Sequence, residues 1–96
     1  MDDKTKEELK IKLDSILARV DIPSKKIELA ELEKLTYEAS FWADTEHSTE
    51  VMKKITQLKK EIDEIELMQL MFEEGEMGEA EKMIRGLEVL LFLSGP

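Results

Sequence analysis

The 96-residue sequence has no cysteine, which excludes a disulfide framework and any zinc site built from thiolates. It has no run of eighteen apolar residues, so we expect no membrane-spanning helix. The first residues are mostly charged and lack the apolar segment of a secretory signal. We therefore expect a cytoplasmic protein that folds as a single domain over residues 1–96.

Basic side chains are few relative to acidic ones. Fourteen lysines and arginines stand against 23 aspartates and glutamates, which gives a net charge of −9. Proteins that bind nucleic acid on their own usually present a basic face, so direct nucleic-acid binding is not expected. An acidic balance is more typical of a soluble surface or of a surface that meets a basic protein partner.

Groups that could carry catalysis are also scarce. His47 is the only histidine, and a general base or metal ligand would need polar partners that the sequence does not place near it. The acidic run Glu73-Glu74-Gly75-Glu76 lacks the alternating ligands of a calcium loop. No phosphate-binding glycine loop or nucleophile elbow occurs. We expect no enzyme activity, no cofactor and no metal site.

Helical periodicity covers most of the chain. Residues 4–20 carry one apolar stripe at steps of three and four, which predicts a first helix. Pro23 suits the first turn of a second helix, which fades near Ala39-Ser40. These two helices carry the following apolar positions: Leu9, Leu13, Ile16, Leu17 and Val20 in the first, and Ile27, Leu29, Leu32 and Leu35 in the second.

Asp44 is a typical helix cap and precedes the longest predicted helix, residues 45–73. Apolar residues recur along it at intervals of four and three, as in a coiled coil, with Gln69 at one seam position. Residues 73–78, with two glycines, predict a reversal, and residues 79–93 a final helix that Ser94-Gly95-Pro96 ends. The seam consists of Val51, Ile55, Leu58, Ile62, Ile65, Gln69 and Phe72.

The fold class that follows is all-α, an antiparallel bundle of three to four helices with one long, coiled-coil-like central helix. The bundle has four helices if the chain turns at Asp21-Ile22-Pro23, and three if it only kinks there. Phe41, Trp42 and Asp44 form the predicted structural anchor between the second helix and the long one. We expect both aromatic rings in the core. The alternative is an exposed recognition aromatic.

Two apolar groups near the carboxyl end are candidates for a partner or interdomain surface. Met68, Met71 and Phe72 could form an adaptable docking surface, or the last helix could cover them, which we favour. The last helix becomes apolar on all sides around Leu91 and Phe92, so we expect the bundle, another domain or a second copy to cover it. Self-association of this chain is one expectation.

Several short motifs occur in a characteristic order and resemble the amino-terminal domain of bacterial peptide chain release factor 2. A Phe-Trp-x-Asp element after a Glu-Leu-Glu helix is the most specific of them. The matching segments are Val20-Asp21-Ile22, Lys25-Lys26, Glu28-Leu29-Ala30-Glu31-Leu32-Glu33, Phe41-Trp42-Ala43-Asp44, Val51-Met52-Lys53-Lys54 and Leu93-Ser94-Gly95.

The resemblance implies a role in translation termination at UGA and UAA stop codons. The family's amino-terminal domain is a helical module that contacts the ribosomal stalk base, release factor 3 and the remaining domains of the same factor. Codon reading and peptidyl-tRNA hydrolysis depend on Ser-Pro-Phe and Gly-Gly-Gln motifs, and neither is in this sequence. The alternative is a free-standing acidic adaptor that binds a protein through its long helix or its Met-rich end.

Overall fold

The computed structural model describes residues 3–93, which form four α-helices and no β-strand. The predicted all-α helical bundle is therefore confirmed, with four helices rather than three. Residues 20 and 21 are not helical, so α1 and α2 are two separate helices. The helices are α1 (Asp3–Arg19), α2 (Ile22–Leu35), α3 (Thr45–Glu73) and α4 (Met77–Glu88), with a 3₁₀ helix at Ala39–Ala43 and a π-helical turn at Val89–Leu93.

Within the described residues the chain divides into two compact units. The hairpin unit comprises residues 22–64, and the terminal unit comprises residues 3–21 together with 65–93. The helix α3 therefore supplies its first part to the hairpin unit and its last part to the terminal unit. A single domain over residues 1–96 stays a prediction, and the predicted stop at Ser94-Gly95-Pro96 lies outside the described residues.

The terminal unit has a core formed by α1, α4 and the end of α3. The predicted stripe is confirmed at four of its five positions, Leu17 being only half-buried, and α4 packs directly on α1. Ala80 and Ile84 of α4 are completely buried. Lys12 and Glu88 form a 3.5 Å ion pair between these two helices. The buried residues of this stripe are Leu9, Leu13 and Ile16 in α1 and Val20 directly after it.

The hairpin unit pairs α2 with the first part of α3. Leu29 and Leu32 pack against a cluster near the start of α3, whereas Lys25, earlier in α2, reaches Glu61, later in α3. The two helices therefore run antiparallel, as the short connection between them requires. The cluster consists of Phe41, Val51 and Ile55.

The apolar stripe predicted for α2 is only partly used. No residue of α2 is buried, and Ile27 is 61% exposed. The helix also ends at Leu35, before the predicted fading near Ala39-Ser40. Leu29 and Leu32 lie three apart on the face toward α3, whereas Ile27 and Leu35 of the predicted stripe are exposed.

The predicted seam of α3 is confirmed except at one position. Met68 is completely buried, whereas Gln69, which the heptad spacing places in the seam, is only half-buried. Met68 and Gln69 both lie about one helical turn from Ile65 and from Phe72. Met68 is the one that faces the core, because burial of an unpaired amide group is costly. The buried residues of α3 from its second turn onward are Val51, Ile55, Leu58, Ile62, Ile65, Met68 and Phe72.

The reversal between α3 and α4 is shorter than predicted. Gly75 has a φ of +81°, and the N–H groups of Gly75 and Glu76 donate to the carbonyls of Phe72 and Met71, at 3.2 and 2.9 Å. These two bonds are those of a Schellman motif, which satisfies the last carbonyls of α3. The helix α4 begins at Met77, so Gly78 lies within it and not in the turn.

Candidate functional site

The turn between α2 and α3 places two neighbouring aromatic rings in different environments. Phe41 is 6% exposed and belongs to the core cluster of the hairpin unit, as predicted, but Trp42 is 52% exposed. The prediction that both rings fill the core is wrong. Successive side chains of a 3₁₀ helix point about 120° apart, so only one of the two can face α3.

Although Trp42 is exposed, its ring is held in place. The indole N–H donates a 2.9 Å hydrogen bond to the carbonyl oxygen of Thr36, the first residue after α2. The edge-to-face contact with Phe41 has a centroid separation of 4.9 Å and an interplanar angle of 89°. This arrangement corresponds to the alternative that the sequence left open, an exposed aromatic of the kind that dominates binding surfaces.

Trp42 forms one end of a shallow groove along α3 with a cavity volume of about 440 Å³. Met52 supplies a second partly exposed apolar side chain, and Lys53 is the one charged residue among those that line the groove. All six lining residues belong to the hairpin unit: Trp42, Ser48, Thr49, Met52, Lys53 and Thr56.

The hydroxyl groups of the groove are already used by the helix. Ser48 and Thr49 donate to the carbonyl oxygen of Thr45, at 3.1 and 2.8 Å, and Thr56 donates to that of Met52 at 3.0 Å. No hydroxyl proton is therefore left to orient a ligand, and no base lies among the lining residues to activate a hydroxyl. The groove offers the apolar surfaces of Trp42 and Met52 for contact.

Asp44 caps α3 as the sequence predicts. Its Oδ1 accepts a 3.1 Å hydrogen bond from the backbone N–H of His47, the third residue of the helix. The exposed His47 ring lies 5.7 Å from the ring of Phe41. Among residues 3–93, no three histidine, aspartate or glutamate side chains come together in a group that could hold a metal ion.

The candidate surface at Met68, Met71 and Phe72 is mostly inside the protein. Met68 and Phe72 are buried and Met71 is half-buried, so the favoured alternative, coverage of this region, is the one observed. Leu91 is half-buried, and Phe92 is 42% exposed with the Arg19 guanidinium 5.0 Å above its ring.

The apolar end of the last helix is not fully covered by this chain. Val89 is 50% exposed and Leu90 is 65% exposed, so the bundle does not enclose these two residues. Coverage by another domain or by a second copy stays a prediction. Consecutive apolar residues of a helix point in all directions around its axis. The helix α1 packs on one side of α4 and leaves other sides uncovered.

Comparison with protein-family models, with curated proteins and with solved structures yields no match. No helix within residues 3–93 combines the length and the apolar composition needed to cross a bilayer.

The sequence pattern does not predict the groove, because the lining residues of α3 have the composition and spacing of an ordinary polar helix face. Thr49, Met52, Lys53 and Thr56 recur at helical spacing, which indicates only that they share a face. The contribution of Trp42 depends on the geometry of the 3₁₀ turn. The one feature of the sequence that could have indicated the groove is the position of the only tryptophan, Trp42, two residues before the helix cap Asp44.

Proposed function

We propose that this chain is the amino-terminal helical domain of a peptide chain release factor 2, which acts in translation termination at UGA and UAA codons. The observation that carries the proposal is the order and spacing of the motifs from Val20 to Gly95, with Phe41-Trp42-Ala43-Asp44 at their centre. No motif alone would suffice, but an ordered series over most of the chain is much more specific.

Local structure supports the proposal by giving the central motif a physical role. Phe41 enters the core of the hairpin unit, Trp42 closes the turn on Thr36, and Asp44 caps α3. Each of the three specified positions of Phe-Trp-x-Asp therefore has a structural role in this turn. An all-α bundle is also the fold class that the resemblance implies.

In this proposal the domain contributes contacts and not the chemistry of termination. Its partners are proteins of the ribosomal stalk base, release factor 3 and the remaining domains of the same factor. A net charge of −9 favours encounters with basic ribosomal proteins. The Ser-Pro-Phe and Gly-Gly-Gln motifs that would read codons and promote hydrolysis are not in this sequence.

A chimera tests the proposal directly. The amino-terminal domain of a release factor 2 is replaced by this chain, and peptide release and release-factor-3-stimulated turnover are measured on ribosomes stopped at UGA. We expect the chimera to keep both activities and the isolated chain to have neither. An unrelated acidic helical domain of similar length in the same position is the matched control. Equal turnover by the two chimeras would contradict the proposal, as would peptide release by the isolated chain.

A free-standing acidic adaptor is the second candidate, and the exposed Trp42 groove favours it. Burial of Met68 and Phe72 favours the exposed face of α3 over the Met-rich end as its docking surface. The downstream reading frame separates the two candidates. Continuation into a Tyr-Asp step and later a Gly-Gly-Gln motif would exclude the adaptor, and a stop codon directly after Pro96 would exclude the release factor.

A further inference from the structure

The helix α2 is held to its neighbour by little apolar burial. None of its 14 residues is buried, whereas the 12-residue α4 buries both Ala80 and Ile84 completely. Only the half-buried Leu29 and Leu32 join α2 to the apolar cluster of the hairpin unit. Since stabilisation by apolar contact scales with the area removed from water, α2 receives less of it than α4 does.

Three ion pairs link α2 to α3 beside this small apolar contact. Lys25 lies 2.7 Å from Glu61, Lys59 lies 3.6 Å from Glu33, and Lys54 lies 3.8 Å from Glu28. The side chains of the first pair are 29% and 35% exposed, and those of the other two are 39–54% exposed. Pairs of this kind are accessible to salt and are weakened by screening.

The start of α2 carries positive charge. Its first turn contains no acidic residue, and Lys25 and Lys26 stand near the end of the helix where the backbone dipole disfavours positive charge. An element with few buried contacts and exposed electrostatic links is expected at the low end of local stability.

We infer that α2 is a salt-sensitive cover that opens from α3 as a unit while the rest of the chain stays folded. Opening uncovers the apolar cluster Phe41, Val51 and Ile55, and ion pairs between the helices, among them these three, determine how often it occurs.

Hydrogen exchange on the whole chain, read by mass spectrometry at neutral pH, tests it. In low salt, we expect the amides of α2 to exchange faster than those of residues 50–62 of α3. Addition of 1 M NaCl should speed exchange in α2 by about tenfold, because it screens three exposed pairs together. The amides of α1 and α4 serve as internal controls and should change less than twofold. Equal protection of α2 and α3, or equal acceleration throughout the chain, would overturn the inference.

Neutral substitutions identify the ion pairs as the cause. Lys25→Gln and Glu61→Gln should each speed exchange in α2 by about two- to fivefold, the range of a partly exposed pair. The double variant should resemble the single ones, because both remove the same interaction. Lys82→Gln, which breaks the 3.7 Å pair with Glu79 on α4, is the matched control and should leave α2 unchanged. An effect of Lys82→Gln as large as that of Lys25→Gln would contradict the assignment.

The absence of cysteine permits an independent measurement. Ile55→Cys places a thiol under α2, and Ile84→Cys places one in the core of the terminal unit, at positions that are 4% and 0% exposed. Thiol labelling of the first variant should be faster and should accelerate with salt, whereas the second should respond little. Circular dichroism establishes that both variants are folded. Equal labelling rates with equal salt dependence would show that global unfolding, and not opening of α2, exposes these positions.

Discussion

The indole N–H of Trp42 donates to the carbonyl oxygen of Thr36 at 2.9 Å, so the exposed tryptophan is tied to the residue that follows α2. This bond satisfies a carbonyl that α2 leaves without an intrahelical partner. It also holds the ring of Trp42 edge-to-face on that of Phe41. The two aromatic residues therefore have different tasks: Phe41 fills the core, and Trp42 closes the turn and lines the groove.

Truncation of the two rings should accordingly have unequal costs. We expect Phe41→Ala to lower the free energy of unfolding by about 3–5 kcal/mol, because it leaves a cavity in the core of the hairpin unit. Trp42→Ala should cost about 1–2 kcal/mol, from one hydrogen bond and a half-exposed ring. Urea unfolding followed by circular dichroism measures both changes. Equal costs, or a larger cost at Trp42, would contradict the division of tasks.

Local rules predicted much of this fold because the relevant interactions lie close together in sequence. Asp44 caps α3 three residues away, and the stripe from Leu9 to Val20 lies on one face of a helix whatever it packs against. The orientation of Trp42 depends on a 3₁₀ turn that no simple periodicity signals. The exposure of Leu90 depends on how much of the helix circumference α1 can cover, which is decided only in three dimensions.

The choice between Met68 and Gln69 in the buried face of α3 gives a second prediction. Met68→Ala should lower the free energy of unfolding by about 2–5 kcal/mol, since the side chain is completely buried. Gln69→Ala should change it by less than about 0.5 kcal/mol, because this half-buried residue contributes little to the core. Thermal unfolding of the two variants, each compared with wild type, measures the difference. A larger loss of stability for Gln69→Ala than for Met68→Ala would show that Gln69 is in the buried seam, as the heptad spacing predicts, and would contradict the burial of Met68 in its place.

Two glycines should respond in opposite directions to the same substitution. Gly75→Ala should destabilise the chain by about 1–2 kcal/mol, because the φ of +81° is costly for a residue with a Cβ atom. Gly86→Ala should stabilise it by about 0.5–1 kcal/mol, because this position is inside α4 and nothing lies within 4 Å of an added Cβ. Each variant is the control for the other in chemical unfolding. Destabilisation by Gly86→Ala would mean that the C-terminal half of α4 is not helical in solution.

The ion pair between Lys25 and Glu61 should make the hairpin unit sensitive to acid. Partial burial by itself would raise the pKa of Glu61, but hydrogen bonds from Lys25 and Gln57, with the positive charges of Lys25 and Lys54, lower it below its ordinary value of 4.5. The stabilisation is therefore complete above the unfolded pKa, and it is lost as the pH falls from about 4.5 through the lower folded value.

The Glu61→Gln substitution removes the titrating carboxyl group, so it tests whether the pKa of Glu61 is lowered in the folded protein. At pH 7 the variant should be less stable than wild type, by an amount that solvent screening of the partly exposed pair keeps within about 1 kcal/mol. The difference should shrink as the pH is lowered below 4.5, because protonated glutamate and glutamine then have the same charge. Urea unfolding at intervals from pH 7 to pH 3 measures it, with Glu79→Gln on α4 as the control for a surface ion pair that does not join two helices. A difference between Glu61→Gln and wild type that stays constant or grows toward low pH would contradict the depressed pKa of Glu61.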